Sequence, residues 1–234
     1  QRPCNLLTLT AKSDAALDAV VANYVDLLQT AQEPRLADLC YNANSRRIPL
    51  DRRAAFVASS DEELLCALQS FATSRAGSEG GDVLHTPSPA PPPPCIGFLF
   101  TGQGSQYLRM GSELYDSQPA FSDTLDRCNE TLEPILGRSL TELIDGKSDL
   151  LDQTQYTQPV LFSLQCALYR LWDALGIRPE AVMGHSVGEY AAAWAAGVFE
   201  LEEGLRLIAE RARLMQEMPD SGSMVSVLGP QKQT

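Results

Sequence analysis

Histidine is nearly absent from this sequence: His85 and His185 are the only two among 234 residues. No histidines pair at ligand spacing, and the six cysteines (Cys4, Cys40, Cys66, Cys95, Cys128, Cys166) contain no C-x-x-C. That pattern indicates neither a zinc site nor a small disulfide framework, and fits reduced thiols in a cytosolic protein. Positive charge is also scarce, with 18 Lys and Arg against 30 Asp and Glu and a net charge of -12. Nucleic acid and anionic membrane surfaces both require a basic face, so neither is expected as a partner. No apolar run approaches the roughly 18 residues of a membrane span, and the amino terminus carries no signal-peptide pattern. What is present is an ordinary globular balance, 44% apolar and 21% charged, in a length that suits one large or two small domains.

Against that plain background stands Gly184-His185-Ser186-Val187-Gly188, a G-x-S-x-G pentapeptide. Ala181 to Met183 before it reads as a strand, and the alanine-rich run from Glu189 to Ala196 as a helix. A serine on a sharp strand-to-helix turn exposes its hydroxyl, and flanking glycines remove the Cβ atoms that would clash there. The N–H of Val187 then lies at a helix N-terminus, where unpaired amides favour negative charge. Ser186 is thus a candidate nucleophile with half an oxyanion hole beside it.

The remainder divides by composition. Residues 5–10 and 53–59 read as strands, and helices are expected from Ser13 to Gln32, Arg35 to Asn42 and Asp61 to Arg75, making residues 1–75 a small α+β domain. Arg46, Arg47, Arg52 and Arg53 form either a docking surface or a solvated loop. The Gly- and Pro-rich stretch 76–94 reads as a connecting segment that holds no core, with His85 a surface histidine inside it. Residues 95–234 begin with the apolar strand Ile96 to Phe100, which runs into Thr101-Gly102-Gln103-Gly104-Ser105-Gln106. Tyr107 stands where a nucleotide-binding G-x-G-x-x-G would need its third glycine, which leaves a loop of amides at the carboxyl end of a strand, where open α/β sheets bind ligands. Helices are expected at Pro119 to Leu136, Ser139 to Ile144 and Gln155 to Leu175, the last with Val160, Leu161, Leu164, Leu168, Leu171 and Trp172 buried. A further helix, Leu201 to Met218, carries Leu201, Leu205, Ile208, Ala212 and Met215 inward and Arg206, Glu210, Arg213 and Glu217 outward. Arg211 belongs to neither face. Its helical neighbours Leu207, Leu214 and Met218 are apolar, so its guanidinium needs an anionic partner, either a bound substrate or a structural carboxylate. Met224 to Leu228 reads as one more strand.

GQGSQ after a buried strand, YTQP at Tyr156 to Pro159, GHSVGEY, and an arginine 25 residues past the serine occur in one order. Together they resemble the acyltransferase domains of modular polyketide synthases and the related malonyl-CoA:acyl carrier protein transacylases. The resemblance implies an α/β fold, a hydrolase-like parallel sheet with flanking helices, incomplete here, behind a small α+β linker domain. It implies acyl transfer through Ser186 from an acyl-CoA to the phosphopantetheine thiol of an acyl carrier protein, with no bound cofactor and a neighbouring ketosynthase domain as a further partner. Val187 and Gln103 would supply the oxyanion-hole amides, Arg211 would hold the free carboxylate of a malonyl-type substrate, and Gln158 would line that pocket. A small aliphatic residue at Val187, with YTQP upstream, is the malonyl-type pattern. The family's general-base histidine lies well downstream of the serine, and His185, adjacent to Ser186 on a tight turn, is expected to be structural. The chain is therefore expected to be a fragment or one part of a split domain, covering the linker and about the first half of the catalytic domain. A serine hydrolase of α/β-hydrolase or patatin type would share the elbow but needs a following acid and histidine or a different oxyanion loop. A non-catalytic scaffold fragment is the other alternative.

Overall fold

A computed structural model describes residues 4–30, 36–73, 83–85, 94–146 and 149–219. The chain forms two compact units, Gln1–Pro94 and Cys95–Thr234.

In the first unit, strand β1 (Asn5–Ala11) alternates as a half-buried strand should, with Leu7, Leu9 and Ala11 inward. It pairs antiparallel with β2 (Arg52–Ala58), Leu7 opposite Phe56, and β2 carries Ala54, Phe56 and Ala58 to the same side. Helices α1 (Asp14–Thr30), α2 (Leu36–Ser45) and α3 (Asp61–Thr73) supply Leu17, Val21, Cys40, Leu64, Leu68 and Phe71 to this core. Ser13 caps α1 as expected, its Oγ accepting from Ala16 N at 3.2 Å. Asn44 ties α2 to β1, accepting from Thr8 N at 2.8 Å and donating to Leu6 O at 2.6 Å. The arginine cluster is partly spent locally, with Arg52 at 3.3 Å from Asp14 and Arg53 Nε donating to Leu50 O. One expectation needs correcting. Val83–His85, inside the stretch read as a connector, is strand β3, pairing antiparallel with β2 so that Ala54 faces His85. Three residues are too short to show a period of two, and the surrounding Gly and Pro hide them.

In the second unit, β4 (Gly97–Phe100) pairs parallel with β5 (Ala181–Gly184), Phe100 beside Gly184. Around them lie α4 (Ser112–Ser117), α5 (Pro119–Leu136), α6 (Leu140–Asp145), a short 3-10 turn (Asp149–Asp152), α7 (Thr154–Ala174), α8 (Gly188–Ala195) and α9 (Leu201–Gln216). Pro at the first position starts α5, Gly137 in the left-handed region ends it, and Ser139 with Glu142 forms a capping box on α6. The core gathers Phe121, Leu132, Phe162, Leu205 and Ile208, all fully buried. Strand β4, read as buried from its apolar run, is not buried throughout: Leu99 is 73% exposed, and Met183 of neighbouring β5 is 63% exposed.

Helix α7 also departs from a simple amphipathic reading. From Thr157 to Ala167 it is buried on almost every side except at Leu164, with α5, α6, α8 and α9 packed against it, so Gln158, Ser163 and Gln165 are interior. Further on it emerges, leaving Trp172 at 44% exposure rather than in the core. Met215, in the last turn of α9, is likewise 45% exposed. The strand expected over 224–228 lies outside the described residues.

Candidate active site

Parallel pairing puts the carboxyl ends of β4 and β5 side by side, so the loop 101–106 and the turn 185–187 leave the sheet together. His185 N–H donates to Phe100 O at 3.0 Å and fastens one to the other. Ser186 has φ 54, the left-handed region that non-glycine residues seldom enter. It is exposed at the turn and stands directly before Val187, the cap of α8. The glycines on either side are needed for contact: a Cβ on Gly184 would overlap the Gly188 backbone, and one on Gly188 would overlap the Phe100 carbonyl. The turn is therefore packed into β4 at backbone range, which holds Ser186 in a strained conformation with its hydroxyl outward.

The N–H of Val187 makes no hydrogen bond among the described residues, and its side chain is fully buried, so the amide is fixed and available. The N–H of Gln103 likewise makes no hydrogen bond among the described residues, but this residue is exposed on its loop. The Gln103 side chain turns away to α7, where its Nε2 donates to Thr154 Oγ1 at 3.1 Å. Gly102 packs on His185; a Cβ there would sit 2.6 Å from Nδ1. A free amide at Val187, next to an exposed serine, is suited to holding negative charge on a carbonyl oxygen under attack. His185 is exposed and lies against Gly102.

Arg211 of α9 is half-buried and donates from Nη1 to Gln158 Oε1. Its guanidinium carbon lies 5.5 Å from the centre of the Tyr190 ring, a cation–π distance. Gln158 is buried at 1% exposure, and its Nε2 donates to Met215 Sδ at 3.3 Å. Tyr190 lies in the first turn of α8, the helix that begins at the serine turn. Arg211, Gln158 and the serine helix are thus brought together. Arg213, on the outer face, is by contrast paired with Glu210 at 2.7 Å and Glu217 at 2.6 Å. No carboxylate pairs with Arg211 among the described residues. The sequence did not single out Tyr190 as the seat of Arg211, nor Gln165, which donates to Thr101 O at 2.8 Å. A signal existed for Gln165: it stands seven residues after Gln158, on the same face of an otherwise apolar helix.

Among the described residues there is no cluster of acidic, His and Cys side chains suited to a metal, and no helix long and apolar enough to cross a membrane. The six cysteines are unpaired. Burial pushes the Cys128 thiol up to about 12, and Cys166 also rises well above its ordinary range for the same reason. Neither is a nucleophile near neutral pH.

Residues 5–68 match the family described as "CurL-like, PKS C-terminal". The chain is 38% identical over 86% of its length to polyketide synthase GfsA of Streptomyces halstedii. It is 37% identical over 94% of its length to the spectinabilin polyketide synthase system protein NorB of Streptomyces orinoci. It spans only 3% and 10% of those two proteins. Among solved structures, the acyl transferase domain of ZmaA superposes with a TM-score of 0.81 at 33% identity. The acyltransferase domain from module 8 of the salinomycin polyketide synthase gives 0.78 at 29%. These alignments cover 94% and 92% of this chain and half of each solved chain. The serine turn and the glycine-rich loop both fall within residues 97–233, which match the family described as "Acyl transferase domain"; with that match over more than half its length, the chain belongs to the acyl transferase domains of modular polyketide synthases.

Proposed function

We propose that this chain carries the nucleophile, the oxyanion hole and the carboxylate clamp of a malonyl-transferring acyltransferase. Arg211 is the observation that supports the substrate class. Held from two sides by Gln158 and the Tyr190 ring, and without a carboxylate partner among the described residues, its guanidinium is pre-aimed for a free carboxylate. A malonyl thioester has one and an acetyl thioester does not.

In this reading Ser186 Oγ attacks the thioester carbonyl of malonyl-CoA. The oxygen–carbon bond forms, the carbon–sulfur bond breaks, and the serine proton ends on the departing coenzyme A thiol. The Val187 and Gln103 amides take the charge of the tetrahedral intermediate. The phosphopantetheine thiol of an acyl carrier protein then attacks the seryl ester, takes the malonyl group, and returns its proton to Ser186. Coenzyme A is a substrate, and the phosphopantetheine belongs to the carrier. Residues 1–94, whose sheet includes β3, act as a linker domain toward a neighbouring ketosynthase, and the catalytic part begins at residue 95. The setting is the cytoplasm, in keeping with the unpaired thiols.

The test is brief incubation of the intact protein with malonyl-CoA, followed by peptide mapping. A malonyl mass on the peptide containing Ser186 is expected. Acylation at another residue, with Ser186 unmodified, sinks the assignment.

A further inference from the structure

Gln165 lies midway along α7 between the buried Phe162, Cys166 and Ala167, and is itself only 7% exposed. Its Nε2 donates to Thr101 O at 2.8 Å and lies 3.2 Å from Thr101 Oγ1. Its Oε1 is buried with no partner among the described residues. Reversing the amide would set Oε1 against the Thr101 carbonyl, so Thr101 dictates the orientation. An unpaired buried acceptor lowers stability, and an apolar side chain of similar length would avoid that cost. Glutamine is thus poor for packing at this place and well suited to gripping Thr101.

Thr101 is where β4 becomes the glycine-rich loop. Its hydroxyl is 2.9 Å from the Ser105 hydroxyl, and Ser105 Oγ donates to Gly102 O at 3.1 Å. The residues between them, Gly102 to Gly104, include Gln103. We propose that Gln165 is a positioning residue: by holding Thr101 it fixes the loop 101–106 so that the Gln103 N–H faces the acyl oxygen on Ser186. This rests on the reading of Ser186 as nucleophile and Gln103 as amide donor. Because that donor is needed most in the transition state, loosening the loop should slow acylation and leave substrate binding alone.

The experiment measures single-turnover acylation by malonyl-CoA in the intact protein, with Gln165→Met, Thr101→Val and Ser186→Ala. Gln165→Met removes the grip and the unpaired acceptor together. Thr101→Val alters an exposed residue and removes only the bridging hydroxyl. For Gln165→Met the saturated acylation rate is expected to fall about 10-fold or more, with half-saturation within about 2-fold and a melting temperature equal or higher. Thr101→Val should fall in the same direction by less, and the double variant should be no slower than Gln165→Met. Unchanged rates in both single variants, or a rate loss confined to Gln165→Met that follows a lower melting temperature, overturn the inference. If Ser186→Ala still acylates, the nucleophile reading fails instead; if it does not while the other two behave as wild type, only the role of Gln165 is lost.

Discussion

Replacing Arg211 with alanine tests the substrate reading most directly, and the structure sets two separate costs for it. The first is catalytic. A bidentate, charge-assisted contact between guanidinium and carboxylate contributes roughly 2 to 3 kcal/mol, so malonyl transfer should fall by about 30- to 150-fold. The second is structural. Gln158 is buried and its Oε1 accepts from Arg211, so the substitution strands an interior acceptor at a cost of about 1 to 3 kcal/mol. The Tyr190 ring loses its cation as well. Any drop in malonyl activity alone would therefore confuse the two. The ratio of malonyl to acetyl transfer separates them, because a loss of folded protein lowers both equally whereas loss of the clamp lowers only the first. Competition between malonyl-CoA and acetyl-CoA for the same enzyme, read by mass spectrometry of the acylated protein, gives that ratio. It should fall by the full factor in Arg211→Ala and by a substantial part of it in Arg211→Lys, which keeps the charge but not the planar fork. An unchanged ratio in Arg211→Ala refutes the carboxylate role.

Three further outcomes follow from the structure. Gly188→Ala drives a methyl group into the Phe100 carbonyl and should cost at least about 2 kcal/mol, seen as a lowered denaturant midpoint together with loss of Ser186 acylation; a native midpoint would mean that the turn is not packed on β4 as described. Arg109 is exposed with φ 62, so Arg109→Gly should relieve about 1 to 2 kcal/mol of strain against about 0.5 to 1 kcal/mol of added chain entropy, raising the melting temperature by a few degrees; a lower one would show that the arginine makes a compensating contact. Cys128 ionises near its ordinary 9.0 when unfolded but is pushed up to about 12 when folded, so its contribution is complete below pH 9 and is lost between pH 9 and 12, at up to about 1.4 kcal/mol per pH unit. Cys128→Ala should flatten that alkaline decline in a pH series of denaturant melts, and an identical decline in both proteins contradicts the thiol's part in it.

How far the sequence foretold this arrangement depends on whether the signal was local. The strand, turn and helix around Ser186 were legible because glycine, serine and alanine runs act on the backbone at short range. Arg211 could be separated from Arg213 because helical spacing alone says which flank each one leaves. Trp172 and Met215 were misplaced because periodicity says which side of a helix is apolar and not how far along it the neighbours extend. Helix α7 is enclosed on almost every side at its start and bare at its end, a property of the elements packed against it. Tyr190 and Gln165 went unnoticed for a related reason: each acquires its role from a partner far off in sequence, Arg211 or Thr101. The short β3 was invisible because three paired residues carry no period.

The strained serine raises a question of cause, since a left-handed residue costs roughly 1 to 2 kcal/mol and needs compensation nearby. The compensation lies in its neighbours. Val187 is fully buried, which contributes on the order of 1.5 to 2 kcal/mol. His185 N–H bonds to Phe100 O, and Gly188 N–H to His185 O, both at 3.0 Å, each contributing about 1 kcal/mol. These sums exceed the strain before any substrate arrives, so the exposed serine and the free Val187 amide are set by packing on β4 rather than assembled on binding. A prebuilt turn of this kind requires close backbone contact, which is why glycine is needed at both 184 and 188. Substitutions on the Phe100 side should therefore disturb the serine as strongly as substitutions next to it, and the sheet end rather than the pentapeptide is the unit that sets the geometry of attack.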